Sequence, residues 1–155
     1  MNAVESAMRM ARIVKASNRL KTFLYRHFAR EPVVKVGYAQ NMEDFEADAP
    51  VFVFLPMVTK RDLEGEVASV TMYAGIVEPE ERDESGFSVL TAYPRMQELL
   101  SLVFSELSQH LQGPGPTVTA EEVVVEFRQE KYPFIWVEVD IIIKEPMPSG
   151  HRRII

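Results

Sequence analysis

A chain of 155 residues with 46% apolar and 26% charged residues is long enough for one substantial core and has the make-up of a globular domain. It has no cysteine, which excludes disulfide and thiolate chemistry, and the early charges Glu5, Arg9, Arg12 and Lys15 leave no room for an apolar leader. The longest apolar run, 49–58, is far short of the ~20 residues that span a bilayer, so no membrane partner is expected.

The net charge of −6 hides a segregation. Residues 1–35 carry eight basic side chains (Arg9, Arg12, Lys15, Arg19, Lys21, Arg26, Arg30, Lys35) against Glu5 and Glu31, a net +6. The remainder carries −12. A basic segment on an acidic body can neutralise that body, a neighbouring copy's body or an anionic ligand.

In chain order, residues 3–29 read as a helix. Strong helix formers dominate, Gly and Pro are absent, and Ile13, Leu20, Phe23, Leu24 and Phe28 make an apolar stripe that is interrupted near Ser17 and Asn18. Pro32 ends it. A short strand is expected over 33–38, ended near Gly37, followed by an acidic connector over 41–48. The run Val51-Phe52-Val53-Phe54-Leu55 is apolar on both faces and suits the middle of a sheet. Pro56 lacks a ladder donor, so a bulge or an exposed edge is expected after it.

Residues 60–65 read as a turn. Beyond it Ala68, Val70, Met72, Ala74 and Ile76 alternate with Ser69 and Thr71, giving a half-buried strand that pairs back on 51–58. Glu78, Glu80, Glu81, Asp83 and Glu84 then make an acidic loop, read as a solvated connection or as a docking surface for a basic partner. The best amphipathic helix follows, with Tyr93, Met96, Leu99, Leu100, Val103, Phe104, Leu107 and Leu111 recurring at three and four. Pro94 fits only its first turn, and Gly113 is a natural stop. The patch 113–116 reads as a turn-rich loop.

The final hairpin is the clearest pattern in the chain. Val123, Val125 and Phe127 alternate with charges, 129–133 makes a short connection, and Ile135, Val137, Val139, Ile141 and Ile143 place five β-branched residues on one face. The opposite face is aromatic at one end (Phe134, Trp136) and charged at the other (Glu138, Asp140). The order is α-β-β-β-α-β-β. It predicts an α+β domain over 1–144, a mostly antiparallel sheet of about five strands against two helices, with a tail over 145–155.

No P-loop, dinucleotide fingerprint or nucleophile elbow is present, and His27, His110 and His151 are not spaced as zinc ligands. Neither a cofactor nor a metal is expected. Glu138 and Asp140 lie two apart on one strand face, and a hydrolytic pair there is weighed below a solvated or interface face. An acidic chain whose helical aromatics fall on its packing stripe is a poor monomeric DNA binder.

Three features together resemble phage tail terminator (tail completion) proteins. These are the element order at this chain length, the acidic loop running through Ser85-Gly86-Phe87-Ser88 into the amphipathic helix, and Tyr132-Pro133-Phe134-Ile135-Trp136-Val137-Glu138 at the start of the last strand. The resemblance spans roughly 51–144. It implies a virion protein, made in the host cytoplasm, whose copies form a ring, usually a hexamer. The ring would cap the tail-tube protein, meet the head–tail connector and let DNA pass through its lumen without specific binding. Such a role needs no active site. Contacts between copies would then fall on Phe134, Trp136, Glu138 and Asp140, and between the acidic Glu80, Glu81, Asp83 and Glu84 and the basic Arg12 and Arg19. Another neck protein, or a small-molecule-binding α+β module, are the alternative readings.

Overall fold

The computed structural model of the protein describes residues 1–37, 41–111 and 119–146. Tyr38, the 113–116 patch, His151 and the tail from 147 onward lie outside the described residues. Helices α1 (Ala3–Ala16) and α2 (Asn18–Phe28) precede strand β1 (Val33–Val36), a 3-10 helix (Met42–Asp48) and the hairpin β2 (Val51–Asp62) and β3 (Gly65–Val77). A small hairpin, β4 (Glu81–Glu84) and β5 (Phe87–Leu90), leads into α3 (Ala92–His110). The chain closes with β6 (Thr119–Lys131) and β7 (Phe134–Pro146).

Five strands form one sheet in the order β1-β2-β3-β7-β6, antiparallel except for the β1–β2 pair. The two long hairpins meet along β3 and β7, which pair over their whole length from Gly65↔Pro146 to Val77↔Phe134. This register puts Val70, Met72, Ala74 and Ile76 on the same face as Val137, Val139, Ile141 and Ile143. Helices α1 and α3 lie over that face. Met10, Val14, Leu20, Leu24, Met96, Leu99, Val103 and Leu107 close the main core from above, all buried. Six of the eight stripe residues expected on the last helix are buried, while Tyr93 and Phe104 are half-buried. At ~1.5–3 kcal/mol for each side chain, that helix alone contributes on the order of 10 kcal/mol of gross burial.

The structure departs from the expected elements at three places. Residues 3–29 are two helices, not one. Ser17 is extended (φ −66°, ψ 117°) and its hydroxyl accepts the backbone N–H of Leu20, so it ends α1 and caps α2 at once. The broken apolar stripe at Ser17-Asn18 was the trace of this turn. The turn expected over 60–65 is only Leu63-Glu64, where Asp62 Oδ1 accepts the N–H groups of Glu64 (2.8 Å) and Gly65 (3.2 Å). The acidic stretch 78–84 is half strand, because β4 pairs with β5 around Ser85-Gly86. The expected irregularity after Pro56 is present: the β2–β3 register shifts between Pro56 and Val58.

Candidate functional site

The sheet's second face, away from α1 and α3, carries most of the residues singled out in the last strand. Its two ends differ. At one end Val51, Val53, Phe134 and Trp136 form a second buried cluster with Met42 and Ala49, and Phe45, Tyr73 and Val77 pack at its rim. The 3-10 helix is the lid. Arg30 donates to the carbonyls of Ala47 (3.0 Å) and Ala49 (2.9 Å). Lys131 donates to the Glu43 carbonyl (3.3 Å) and pairs with Glu46 (3.3 Å). Lys35 pairs with Asp48 and lies over the Phe45 ring.

This corrects two expectations. The acidic connector is a cover held by basic residues. Phe134 (0% exposed) and Trp136 (8% exposed) are filled in by their own chain rather than left for a neighbour. Their rings stack 5.4 Å apart, and the Phe134 ring lies directly over Gly75, where an added Cβ would sit 2.7 Å from it.

The other end of the same face is open. Cross-strand neighbours set it in rows. Tyr73 stands beside Glu138, which faces Glu126; Thr71 stands between Leu55 and Asp140; Ser69 stands between Val58 and Ile142; and Val67 stands between Lys60 and Lys144. Tyr73 Oη donates to Glu138 (2.7 Å) and Thr71 Oγ1 donates to Asp140 (2.8 Å). Partial burial, the bond to Glu138 and the nearby carboxylates push the Tyr73 phenol up to about 12, so it stays a donor. Glu126 and Glu138 place like charges opposite each other, and Arg128 pairs with Glu126 at 2.9 Å beside them. Glu138 and Asp140 are thus each engaged by a hydroxyl from β3. Among the described residues no three His, Cys, Asp or Glu side chains converge as metal ligands would.

The charge segregation divides in the same way. Of the eight basic residues in 1–35, Arg30 and Lys35 hold the 3-10 lid. Arg9 donates to the His110 carbonyl (3.4 Å). Arg19 reaches Ser105 (3.4 Å) and Glu106 (3.8 Å), the latter a buried carboxylate that also meets His110 at 3.1 Å. Arg12, Lys15, Lys21 and Arg26 have no ion-pair partner among the described residues. Arg12 was among the residues expected at contacts between copies; Lys15, Lys21 and Arg26 were not, because only the packing shows which cations are left over among the described residues.

On the acidic side, Glu78 is buried and pairs with Arg95 (3.6 Å), which also faces His27 at 3.3 Å. Burial and the Arg95 charge hold the His27 imidazole below its ordinary value. Glu84 pairs with Arg82 (2.9 Å), and Glu81 accepts from Ser88 (3.1 Å). The side chains of Glu80 and Asp83 have no such partner among the described residues. The residues singled out from sequence therefore lie in three places: on β7, on or just before β4, and on α1 and α2.

No protein-family model matches this chain, and no curated protein matches it. Among solved structures it is similar to a chain of the virion of a native gene transfer agent (GTA) particle, with a TM-score of 0.50 and 8% identity. The match covers 91% of this chain and 94% of that one. At that identity the likeness is one of fold, and it takes in nearly the whole of both chains.

Proposed function

We propose that this protein is a structural subunit of a phage or phage-like virion, built to assemble with copies of itself. The observation that carries the reading is the likeness, along nearly its entire length, to a chain from a gene transfer agent virion. The surface supports it. Four cations on α1 and α2 lack partners within the described residues, while an acidic hairpin stands out elsewhere. Opposite charges on separate parts of one chain favour head-to-tail contacts between copies.

The finer reading is a tail terminator: a ring, of six copies in the usual case, that closes the tail tube and meets the head–tail connector. Light scattering after size exclusion, with negative-stain imaging, tests it on the chain alone and with a tail-tube protein. A ring that forms alone or on the tube is the expected result. A chain that stays monomeric under both conditions and carries a small metabolite overturns it in favour of a ligand-binding module. Mass spectrometry of purified particles tests the virion location, and absence of the chain from intact particles counts against it.

A further inference from the structure

The small hairpin β4–β5 carries a feature that burial alone does not explain. Ser85 (φ 50°) and Gly86 (φ 94°) form a tight two-residue turn, and a Cβ on Gly86 would meet nothing. The turn sets Glu84 opposite Phe87, and Phe87 is 61% exposed. An aromatic side chain is thus held out at the tip of an acidic arm; Asp83, opposite Ser88, points from the arm's other face and has no ion-pair partner among the described residues.

A counterpart exists on the helical layer. Between α2 and α3 lies a groove of about 390 Å³ lined by Asn18, Arg19, Thr22, Phe23, Arg26 and Leu102. Phe23 and Leu102 supply apolar wall; Arg19 and Arg26 supply positive charge, and the Arg26 guanidinium is unpaired among the described residues.

From this complementarity we infer that the Phe87 tip of one copy seats in the α2–α3 groove of the next, bringing the net-acidic arm (Glu80, Glu81, Asp83 and Glu84 against Arg82) up to the groove's Arg26. The inference rests on the self-assembly proposed above and names its contact. Arm and groove are different surfaces, so the contact is heterologous and repeats around a closed ring or along a filament. A second copy fits better than nucleic acid. Duplex DNA offers phosphates for the arginines but no apolar knob for Phe23 and Leu102, and the chain's overall −6 charge opposes it. Burying a projecting aromatic in an arginine-rimmed apolar site is also the usual make-up of an interface hot spot.

The test uses the natural absence of cysteine. Chains with Ser85→Cys are mixed with chains bearing Thr22→Cys and treated with a short bis-maleimide. The expected product is a cross-linked dimer in the mixture, and a ladder ending at the ring size when both substitutions share a chain. Phe87→Ser is expected to weaken association about 30-fold, the size of a ~2 kcal/mol hot spot. Because Phe87 is exposed, its thermal unfolding midpoint should match the parent's. Asp83→Lys should weaken association less, and Arg26→Glu on the same chain should restore it.

If the parent assembles by light scattering but no mixed cross-link forms and Phe87→Ser is neutral, this contact is wrong and the ring reading stands. If the parent is monomeric alone and on the tube, both fall. If assembly survives Arg26→Glu while that variant alone loses binding to duplex DNA, the groove serves phosphates and the inference is overturned.

Discussion

Strand β7 passes through two environments on one face of one sheet. At Phe134 and Trp136 that face is sealed by the 3-10 helix and belongs to the core. Two residues further on, Glu138 and Asp140 stand in the open half, accepting from the hydroxyls of Tyr73 and Thr71. The strand itself does not change; the cover does. Whether a side chain on a sheet face is structural or available to a partner is set by what a distant segment lays over it. Here that segment lies about ninety residues upstream and is fastened by Arg30, Lys35 and Lys131.

The sharpest way to break this contrast is to empty the covered half. Trp136→Ala is expected to destabilise the monomer by about 3–5 kcal/mol, the range for large aromatic truncations in a core. Urea unfolding at low protein concentration measures it. A small loss there, combined with impaired assembly, would return Trp136 to the interface.

A second variant adds volume instead of removing it. Gly75→Ala drives a methyl into the Phe134 ring and the Val51 side chain, and about 1–3 kcal/mol should be lost. In an open part of the sheet the same change would be neutral or favourable, since glycine is a poor strand former. A stabilised Gly75→Ala would mean the lid end is loosely packed.

The open half should respond less. Asp140→Ala leaves the buried Thr71 hydroxyl without its acceptor, and about 1 kcal/mol is expected from the same unfolding experiment. The smallest effect is one of titration. The folded phenol of Tyr73 ionises near 12 against an ordinary value of 10.0. Its contribution to stability is therefore complete below pH 10 and is lost as pH rises through about 12, because the unfolded chain ionises first. Ultraviolet titration should show this late tyrosine, and Glu138→Gln should bring it back toward 10. An unchanged midpoint would remove Glu138 as its partner.

How much of this was legible can be traced residue by residue. The alternation in 135–143 and 68–76 located the two strands that form the centre of the sheet, because a period of two exposes one face to the core whatever the topology. The spacing of Met96, Leu99, Leu100, Val103 and Leu107 located the covering helix for the same kind of reason. Pro56 announced its bulge through a missing donor. The break at Ser17 was visible only as a flaw in a stripe, since a serine at that place is also tolerated inside a helix. The lid could not be read at all: Asn41-Met42-Glu43-Asp44-Phe45 is mostly polar, and only the packing of Met42 and Phe45 into the cluster of Val51, Val53, Phe134 and Trp136 turns it into a cover.

By itself the sequence determined the fold class, the central strands, the main covering helix and the separation of basic from acidic segments. Each of these follows from local period or composition. The tertiary structure alone decided which aromatic residues are spent in the core, which cations keep a partner and which are left over, and that an aromatic tip and a basic-rimmed groove coexist on one chain. Those outcomes depend on segments far apart in sequence coming to lie against each other, and no local pattern carries that information.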